Sequence, residues 1–216
     1  MTSVGRQRLG GPSSPATPKG EATRGFLLRV AAGVFAGRGY ANTTLNELIE
    51  ASGLTKGAFY FHFRSKSELA LAVLRDQDAR WLARIEDEVL GGGRAVDQLR
   101  ALIPVMLQLL AAEPGAWSIV RLTRDLAAEP ALAEQVAKPM AEWVRLVGDI
   151  VRRGQLDGDL RPELDPDHVG AVLVGAFDGL KSLVDVLEPG ERCATVFAER
   201  AQTLLTLVEA ALVIRR

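Results

Sequence analysis

The fold is decided by residues 23–74, TRGFLLRVAAGVFAGRGYANTTLNELIEASGLTKGAFYFHFRSKSELALAVL. Apolar residues recur in this stretch every three or four positions, which is the spacing of one face of a helix. The pattern predicts three helices in succession, over residues 23–38, 45–52 and about 55–60. Gly39 and Gly53 directly follow the first two helices, at the position where glycine commonly ends a helix.

The second predicted helix has a well-defined start. Thr44 precedes it, and Glu47 follows three positions later. This is the spacing of a capping box, in which the hydroxyl and the carboxylate each accept a hydrogen bond from the other residue's backbone amide. After Gly53, Leu54 fills the turn before the third helix. Two short helices joined by a tight turn and packed on a preceding helix form a helix-turn-helix unit.

The side chains of this unit divide into a core set and an exposed set. We expect a small core made of Phe35, Tyr40, Leu45, Leu48, Ile49, Leu54, Phe59 and Phe63. The exposed positions at the start of the third helix are small or polar: Thr55, Lys56, Gly57 and Ala58. Small residues let a helix enter the major groove of DNA deeply, and the long side chain of Lys56 suits a guanine there.

The remainder of the chain also has helical periodicity and no alternating strand pattern. A long fourth helix is predicted from Ser65 to about Val89. Further helices are predicted at about 95–112, 115–127, 131–155, 166–187 and 190–214, separated by Pro114, Pro130, Gly158 with Pro162, and Pro189-Gly190. Pro104 and Pro139 fall inside two of these segments, where they predict kinks or shifted boundaries. The expected fold is all-α, with about nine helices.

Three regions are expected along the chain. Residues 1–20 are rich in Gly, Pro, Ser and Thr, which favours a disordered arm that is either solvated or in contact with DNA phosphates. Residues 21–68 form the helix-turn-helix domain, and residues 69–216 form a larger helical body. Charge follows the same division, because residues 1–76 carry ten Lys or Arg against five Asp or Glu, whereas the rest carries 16 against 22. A basic amino-terminal part followed by an acidic remainder suggests that the amino-terminal part binds a polyanion.

Several function classes are disfavoured by composition. Cys193 is the single cysteine, so neither an intramolecular disulfide nor a Cys-rich metal site is expected. His62 and His168 are the two histidines and lie far apart, which makes a metal site improbable. No run reaches the roughly 18 apolar residues of a membrane span, and the start lacks the apolar core of a signal peptide. We therefore expect a cytoplasmic protein with no membrane contact, no metal and no cofactor.

Two stretches closely resemble the TetR family of bacterial transcriptional regulators in the order and spacing of their residues. They are GRGYANTT (residues 37–44) and TKGAFYFHFRSKSELALAVL (residues 55–74). The resemblance implies a DNA-binding domain in which Thr44 caps the second helix and contacts a phosphate. It places Thr55, Lys56, Gly57 and Ala58 at the start of the recognition helix. It also implies phosphate contacts from Tyr60, His62 and Lys66, in keeping with hydroxyls and cations holding the DNA backbone.

Each of these roles has a structural alternative. Tyr60 could be a core aromatic, although Phe59 and Phe63 already occupy the core spacing. His62 could be a catalytic or metal-binding histidine, and Lys66 could be a solvated surface charge.

The body resembles the family in architecture, with one more specific likeness. The segments WSIVRLTRDL (residues 117–126) and KPMAEWVRLVGDIV (residues 138–151) resemble the γ-butyrolactone receptor branch. That likeness implies an effector cavity contacted by Trp143 and, as a second candidate, Trp117. Leu107, Leu110, Val120 and Val147 are candidates to line it. The alternative is that all six residues are ordinary core, since large rings bury apolar area wherever they pack.

The last two helices are expected to form the interface of a homodimer. Gly170, Gly175 and Gly179 would permit close helix approach in the first of them. In the final helix, Phe197, Ala201, Leu204, Leu205, Val208 and Leu212 form a wide apolar stripe. Packing within the monomer is the competing explanation. A two-fold dimer predicts a pseudo-palindromic operator in double-stranded DNA.

The resulting hypothesis is a dimeric repressor that a small effector releases from DNA. An all-α enzyme is the first alternative, but the sequence has no nucleophile elbow, phosphate loop or metal-ligand cluster. One group of titratable residues, Asp165, Asp167 and His168, lies close together in the sequence. The two acids are explained by the start of a helix, where a negative charge interacts favourably with the helix dipole. A helical interaction module that never binds DNA is the second alternative.

Overall fold

The computed structural model describes residues 17–112, 116–188, 190 and 192–214. Within these residues the chain forms nine α-helices and one short 3₁₀ turn, in keeping with the expected all-α fold. The helices are α1 (Pro18–Arg38), α2 (Leu45–Ser52), α3 (Lys56–His62), α4 (Lys66–Glu88), α5 (Ala95–Ala112), α6 (Ile119–Ala127), α7 (Ala133–Leu156), α8 (Pro166–Leu187) and α9 (Cys193–Leu212). The 3₁₀ turn, Ala116–Ser118, leads directly into α6.

Helix α1 begins earlier than the periodicity predicts. The Thr17 hydroxyl caps it by accepting a hydrogen bond of 3.2 Å from the Gly20 amide, and Pro18 occupies the first turn, where its missing N–H costs nothing. The expected arm therefore loses residues 18–20 to the helix, and its residues 1–16 lie outside the described part of the chain.

The helix-turn-helix unit has the predicted core and caps. Phe59 and Phe63 are fully buried, and the other predicted core residues are buried or half-buried with them. The capping box of α2 is present: the Thr44 hydroxyl accepts from the Glu47 amide at 3.3 Å, and the Glu47 carboxylate accepts from the Thr44 amide at 2.7 Å. Gly53 adopts the left-handed conformation at the end of α2, with φ of 64°, which a glycine adopts without strain.

The core of this unit continues into the body. Leu69 to Leu74, the first half of α4, are buried with α1, α2 and α3, and so are Ile119, Leu122 and Leu126 of α6. Further along α4, Trp81 and Ile85 are buried against α5 and α7. Helix α4 therefore belongs to two apolar cores, one in the helix-turn-helix unit and one in the body.

The body is built around α5, α7, α8 and α9. Pro104 and Pro139 lie inside α5 and α7 respectively, so neither proline ends its helix. Among the described residues α5 is the one helix long and apolar enough to cross a membrane, by length and composition alone. It packs against α4, α7 and α9, as a core helix of this kind does.

The expected dimer stripe of α9 is core of the monomer instead. Phe197, Ala201, Leu205, Val208 and Leu212 are buried within the chain, and Leu204 is half-buried beside them. Gly170 is likewise used inside the monomer, because a Cβ there would stand 2.4 Å from the carbonyl oxygen of Val144 in α7. The sequence pattern could not separate these two uses, since packing within a chain and packing between chains demand the same apolar spacing.

The close approach of α7 and α8 makes a stability prediction. Gly170→Ala should lower the free energy of unfolding by about 1–3 kcal/mol, because the added methyl meets backbone that cannot move aside cheaply. Gly33→Ala in α1 is the matched control, since a Cβ there meets nothing within 4 Å and alanine favours a helix by up to about 1 kcal/mol. Urea unfolding followed by circular dichroism measures both, and equal stability of the two variants would contradict the packing.

Candidate DNA interface and effector cavity

The recognition helix α3 presents its first turn to solvent. The Thr55 hydroxyl caps it by accepting from the Ala58 amide at 3.3 Å. Thr55, Lys56, Gly57 and Ala58 are all exposed, whereas Phe59 behind them is fully buried. The surface that could enter a groove is therefore narrow, and Lys56 carries the only long side chain in that turn.

Groups suited to phosphate contact flank this turn. Thr44 lies exposed at the start of α2, where unpaired backbone amides favour an anion. Tyr60 is 46% exposed, which is inconsistent with a core role, and its ring meets that of Phe59 edge to face. His62 is half-buried at the end of α3, with its ring 5.1 Å from that of Phe61.

Lys66 is held by the protein itself. Its ammonium donates a hydrogen bond of 2.9 Å to the carbonyl oxygen of Tyr40 and lies 4.1 Å from the centre of the Tyr40 ring. An ammonium has three donors, so one contact to Tyr40 leaves capacity for a phosphate. The geometry gives Lys66 a structural role in joining α4 to the loop before α2, beside any contact with DNA.

Phe61 was missed by the sequence reasoning. It is 84% exposed and follows the exposed first turn of α3. The helical periodicity of the sequence could have predicted this exposure. Phe59 and Phe63 are four positions apart and both face the core, so the residue midway between them lies on the opposite side of the helix. An exposed aromatic ring at a groove can contact the methyl group of thymine.

The body contains an apolar cavity of about 120 Å³ between α4, α5, α6, α7, α8 and α9. Trp143, Val120 and Val147 line it, as the sequence predicts. Leu107, Leu110 and Trp117 do not line it and pack in a neighbouring cluster around Phe197. Phe177 lines the cavity and contacts Phe197, which in turn contacts Trp117, so that Trp117 lies two rings away from the cavity.

Trp117 belongs to a buried polar cluster that the sequence did not reveal. Its indole N–H donates to the carboxylate of Asp185, and its carbonyl oxygen accepts from the ammonium of Lys181. Lys181 is fully buried, and burial lowers the pKa of its ammonium. The Cys193 thiol also donates to Asp185, at 3.4 Å. These contacts tie the turn before α6 to α8 and α9.

Two carboxyl groups stand in the otherwise apolar cavity, and neither was expected. Burial raises the pKa of Asp78 to about 6, the indole of Trp143 opposes the rise through a hydrogen bond, and the acids Glu142 and Asp178 add to it. Burial also raises the pKa of Asp178, against the attraction of Lys181 and Arg124. Trp81 lies beside Asp78, and its indole N–H is buried without a hydrogen-bond partner.

The comparisons with known proteins agree with this arrangement. Residues 27–73 match the model of bacterial regulatory proteins of the tetR family. The transcriptional repressor KstR2 of Mycolicibacterium smegmatis is 31% identical over 161 residues, which cover 73% of this chain and 75% of that protein. The chain therefore belongs to the TetR family of bacterial regulators.

Two further relatives bear on the body. The A-factor receptor protein of Streptomyces griseus is 27% identical over 155 residues, which cover 72% of this chain and 52% of that protein. A solved structure described as the molecular basis for control of antibiotic production by bacterial hormones superposes with a TM-score of 0.76 at 30% identity, covering 89% of this chain and 98% of that one. The family model describes regulatory proteins and KstR2 is a transcriptional repressor, so this chain is a transcriptional regulator and not an enzyme.

The charge of Asp78 makes a prediction about stability and pH. Its pKa in the folded chain, about 6, lies above the ordinary value of 3.8, so the ionised carboxylate destabilises the fold. This penalty is absent below about pH 4 and complete above about pH 6. Asp78→Asn should therefore raise the free energy of unfolding at pH 7.5 by up to about 3 kcal/mol, with the gain disappearing as the pH falls to 4.

Urea unfolding of both proteins between pH 4 and pH 8 measures this gain. Asp76→Asn on the same helix is the control, because Asp76 does not line the cavity and pairs with Arg80 at 3.2 Å. A gain for Asp78→Asn that did not change with pH would contradict the assigned environment of the carboxyl group.

Proposed function

We propose that the chain is a homodimeric repressor that binds a pseudo-palindromic operator and leaves it when a small apolar or amphipathic effector enters the cavity. The observation that carries the proposal is the exposed first turn of α3, small except for Lys56, in a chain of the TetR family. In this proposal residues 21–68 contact DNA, residues 69–216 bind effector and partner, and the protein acts in the cytoplasm on the chromosome.

We assign phosphate and base contacts at the operator according to how exposed each side chain is. Thr44, Tyr60 and His62 contact phosphates and set the register of the protein on the duplex. Lys56 contacts a guanine in the major groove, and Phe61 contacts a thymine methyl beside it. Thr55, Gly57 and Ala58 allow the close approach, and Lys66 supplies one further phosphate contact from its position on Tyr40.

The proposed dimer interface is the outer face of α8 together with α9. Five apolar side chains on these helices are at least half exposed: Val172, Leu183, Val186, Leu187 and Leu207. At 100° per residue, the four on α8 share one face with Gly175 and Gly179, where a Cβ would meet nothing within the monomer. A second copy of the same face would cover this stripe and bring two α8 helices close together.

The proposed release mechanism acts through α4. The cavity touches α4 at Asp78 and Trp81, while the first half of the same helix is buried with the DNA-binding unit. An effector that fits a shifted α4 better would change the separation of the two recognition helices. It must prefer that state, since equal affinity for both states shifts nothing. The likeness to the A-factor receptor supports a lactone-like signal as one candidate effector.

Fluorescence anisotropy on duplexes from the protein's own promoter, beside a scrambled duplex, tests the proposal. A preference of about a thousandfold or more would place the chain among specific regulators. Equal and weak binding to every duplex, including fragments selected from the whole genome, would overturn the proposal.

Two substitutions separate base reading from phosphate contact. Lys56→Ala should cost about 1–3 kcal/mol on the operator and relax the preference at one base pair. Tyr60→Phe removes only a hydroxyl and should weaken binding to all duplexes to a similar extent. Anisotropy on the operator and on single-base variants measures both effects. If Lys56→Ala changed neither affinity nor base preference, Lys56 would not be the groove contact.

The proposed dimer interface can be tested by placing charged side chains in its apolar stripe. The double variant Leu183→Glu with Val186→Glu should sediment as a monomer of 23.2 kDa, whereas the unchanged chain sediments at twice that mass. Leu156→Glu is the matched control, because Leu156 is 84% exposed at the end of α7 and lies outside the proposed interface. Helicity by circular dichroism should be equal in all three proteins. A double variant that stayed dimeric would place the interface elsewhere.

A further inference from the structure

We propose that the effector is a mostly apolar molecule that carries one protonated amine and one oxygen acceptor, and that Asp78 and Trp81 hold these two groups from one face of α4. The inference rests on the proposed function, because it names the chemical class of the effector that the same cavity takes.

The cavity offers Asp78 as the partner for a cation. The carboxyl group lines a wall that is otherwise almost wholly apolar, and the indole of Trp143, which lines the same cavity, acts against the rise of its pKa. The charged groups that act on it most are the acids Glu142 and Asp178. A buried carboxylate is costly unless it is paired, and a neighbourhood of acids increases that cost. A protonated amine in the cavity removes this cost, which a neutral ligand does not.

Asp178 is less suited to the same role. It also lines the cavity, but the cations Lys181 and Arg124 already act on it. An incoming amine therefore gains less at Asp178 than at Asp78. Both acids nevertheless make the electrostatic potential of the cavity negative, which favours a cation over a neutral or anionic molecule.

Trp81 supplies the second, independent observation. Only 6% of this residue is exposed, its ring lines the cavity, and its indole N–H has no hydrogen-bond partner. Buried polar groups in folded proteins are nearly always hydrogen-bonded, so an unpaired donor at a cavity wall indicates a missing acceptor. A carbonyl, ether or hydroxyl oxygen of a ligand fills this role.

The spacing of the two groups sets the distance between the ligand's polar atoms. Asp78 and Trp81 are three residues apart in α4, so they are neighbours on one face of the helix, with their Cβ atoms about 5–6 Å apart. The amine and the oxygen of the ligand are therefore only a few bonds apart. The rings of Trp143 and Phe177, which line the same cavity, suit both an apolar body and a cation.

The test compares three probes by titration calorimetry on the intact protein at pH 7. Lidocaine has a protonated amine, an amide carbonyl a few bonds away and an aromatic ring. Its carbon isostere has C–H in place of the ammonium N–H and is neutral. A neutral γ-lactone of similar size is the third probe. The unchanged protein should bind lidocaine at least about tenfold more tightly than either neutral probe.

Variants then assign the two contacts. Asp78→Asn should remove the preference for the amine while the affinity for the neutral isostere stays within about threefold. Asp76→Asn changes an acid on the same helix that does not line the cavity, and it should leave the preference intact. Trp81→Phe should weaken lidocaine by about fivefold or more, yet leave unchanged an analogue with CH₂ in place of the carbonyl.

The inference is overturned if a neutral probe binds as tightly as the amine, if Asp78→Asn keeps the preference, or if the amine gives no heat at millimolar concentration. Operator binding without any ligand is measured separately by anisotropy. A selective operator complex combined with a preference for the lactone would therefore overturn this inference alone. Loss of operator selectivity would overturn the proposed function, while the calorimetry would still report on the cavity.

Discussion

The structure depends on α4 being buried in two cores at once. Its first half, Leu69 to Leu74, packs with the helix-turn-helix unit, and its second half, with Trp81 and Ile85, packs in the body. An α-helix is stiff along its axis, so a displacement at one end is carried to the other. In the proposed mechanism, this shared helix connects the cavity in the body to a DNA-binding surface that the cavity does not touch.

The two parts of the chain are also joined beside α4. Burial, together with the nearby acid Glu129, raises the pKa of Tyr40 to about 12. Arg75 donates to the side-chain oxygen of Gln135 at 2.8 Å, which links α4 to the start of α7. Any movement of the DNA-binding unit must break or carry along these contacts.

The fold could largely be predicted because its signals are local. The capping box of Thr44 and Glu47, the left-handed Gly53 and the inward spacing of Phe59 and Phe63 each act over a few residues. The cavity could be predicted only in part, because it depends on which helices meet. Trp143 was found through a family resemblance. Asp78 and Trp81 were not found, since on a helix read in isolation they resemble a solvated acid and a core ring.

The positions of Asp78 and Trp143 suggest why an effector would move α4. Asp78 lies on α4 and Trp143 on α7, and both line the cavity, so a ligand bound there contacts both helices. A cation that binds Asp78 competes with the indole for the same carboxylate. In the proposed mechanism, such a cation would weaken an α4–α7 contact while adding one of its own, so its affinity would differ between the two positions of α4. This difference is the condition that any ligand-driven shift must meet. The ionised carboxylate of Asp78 destabilises the ligand-free fold, and a bound cation would relieve that cost.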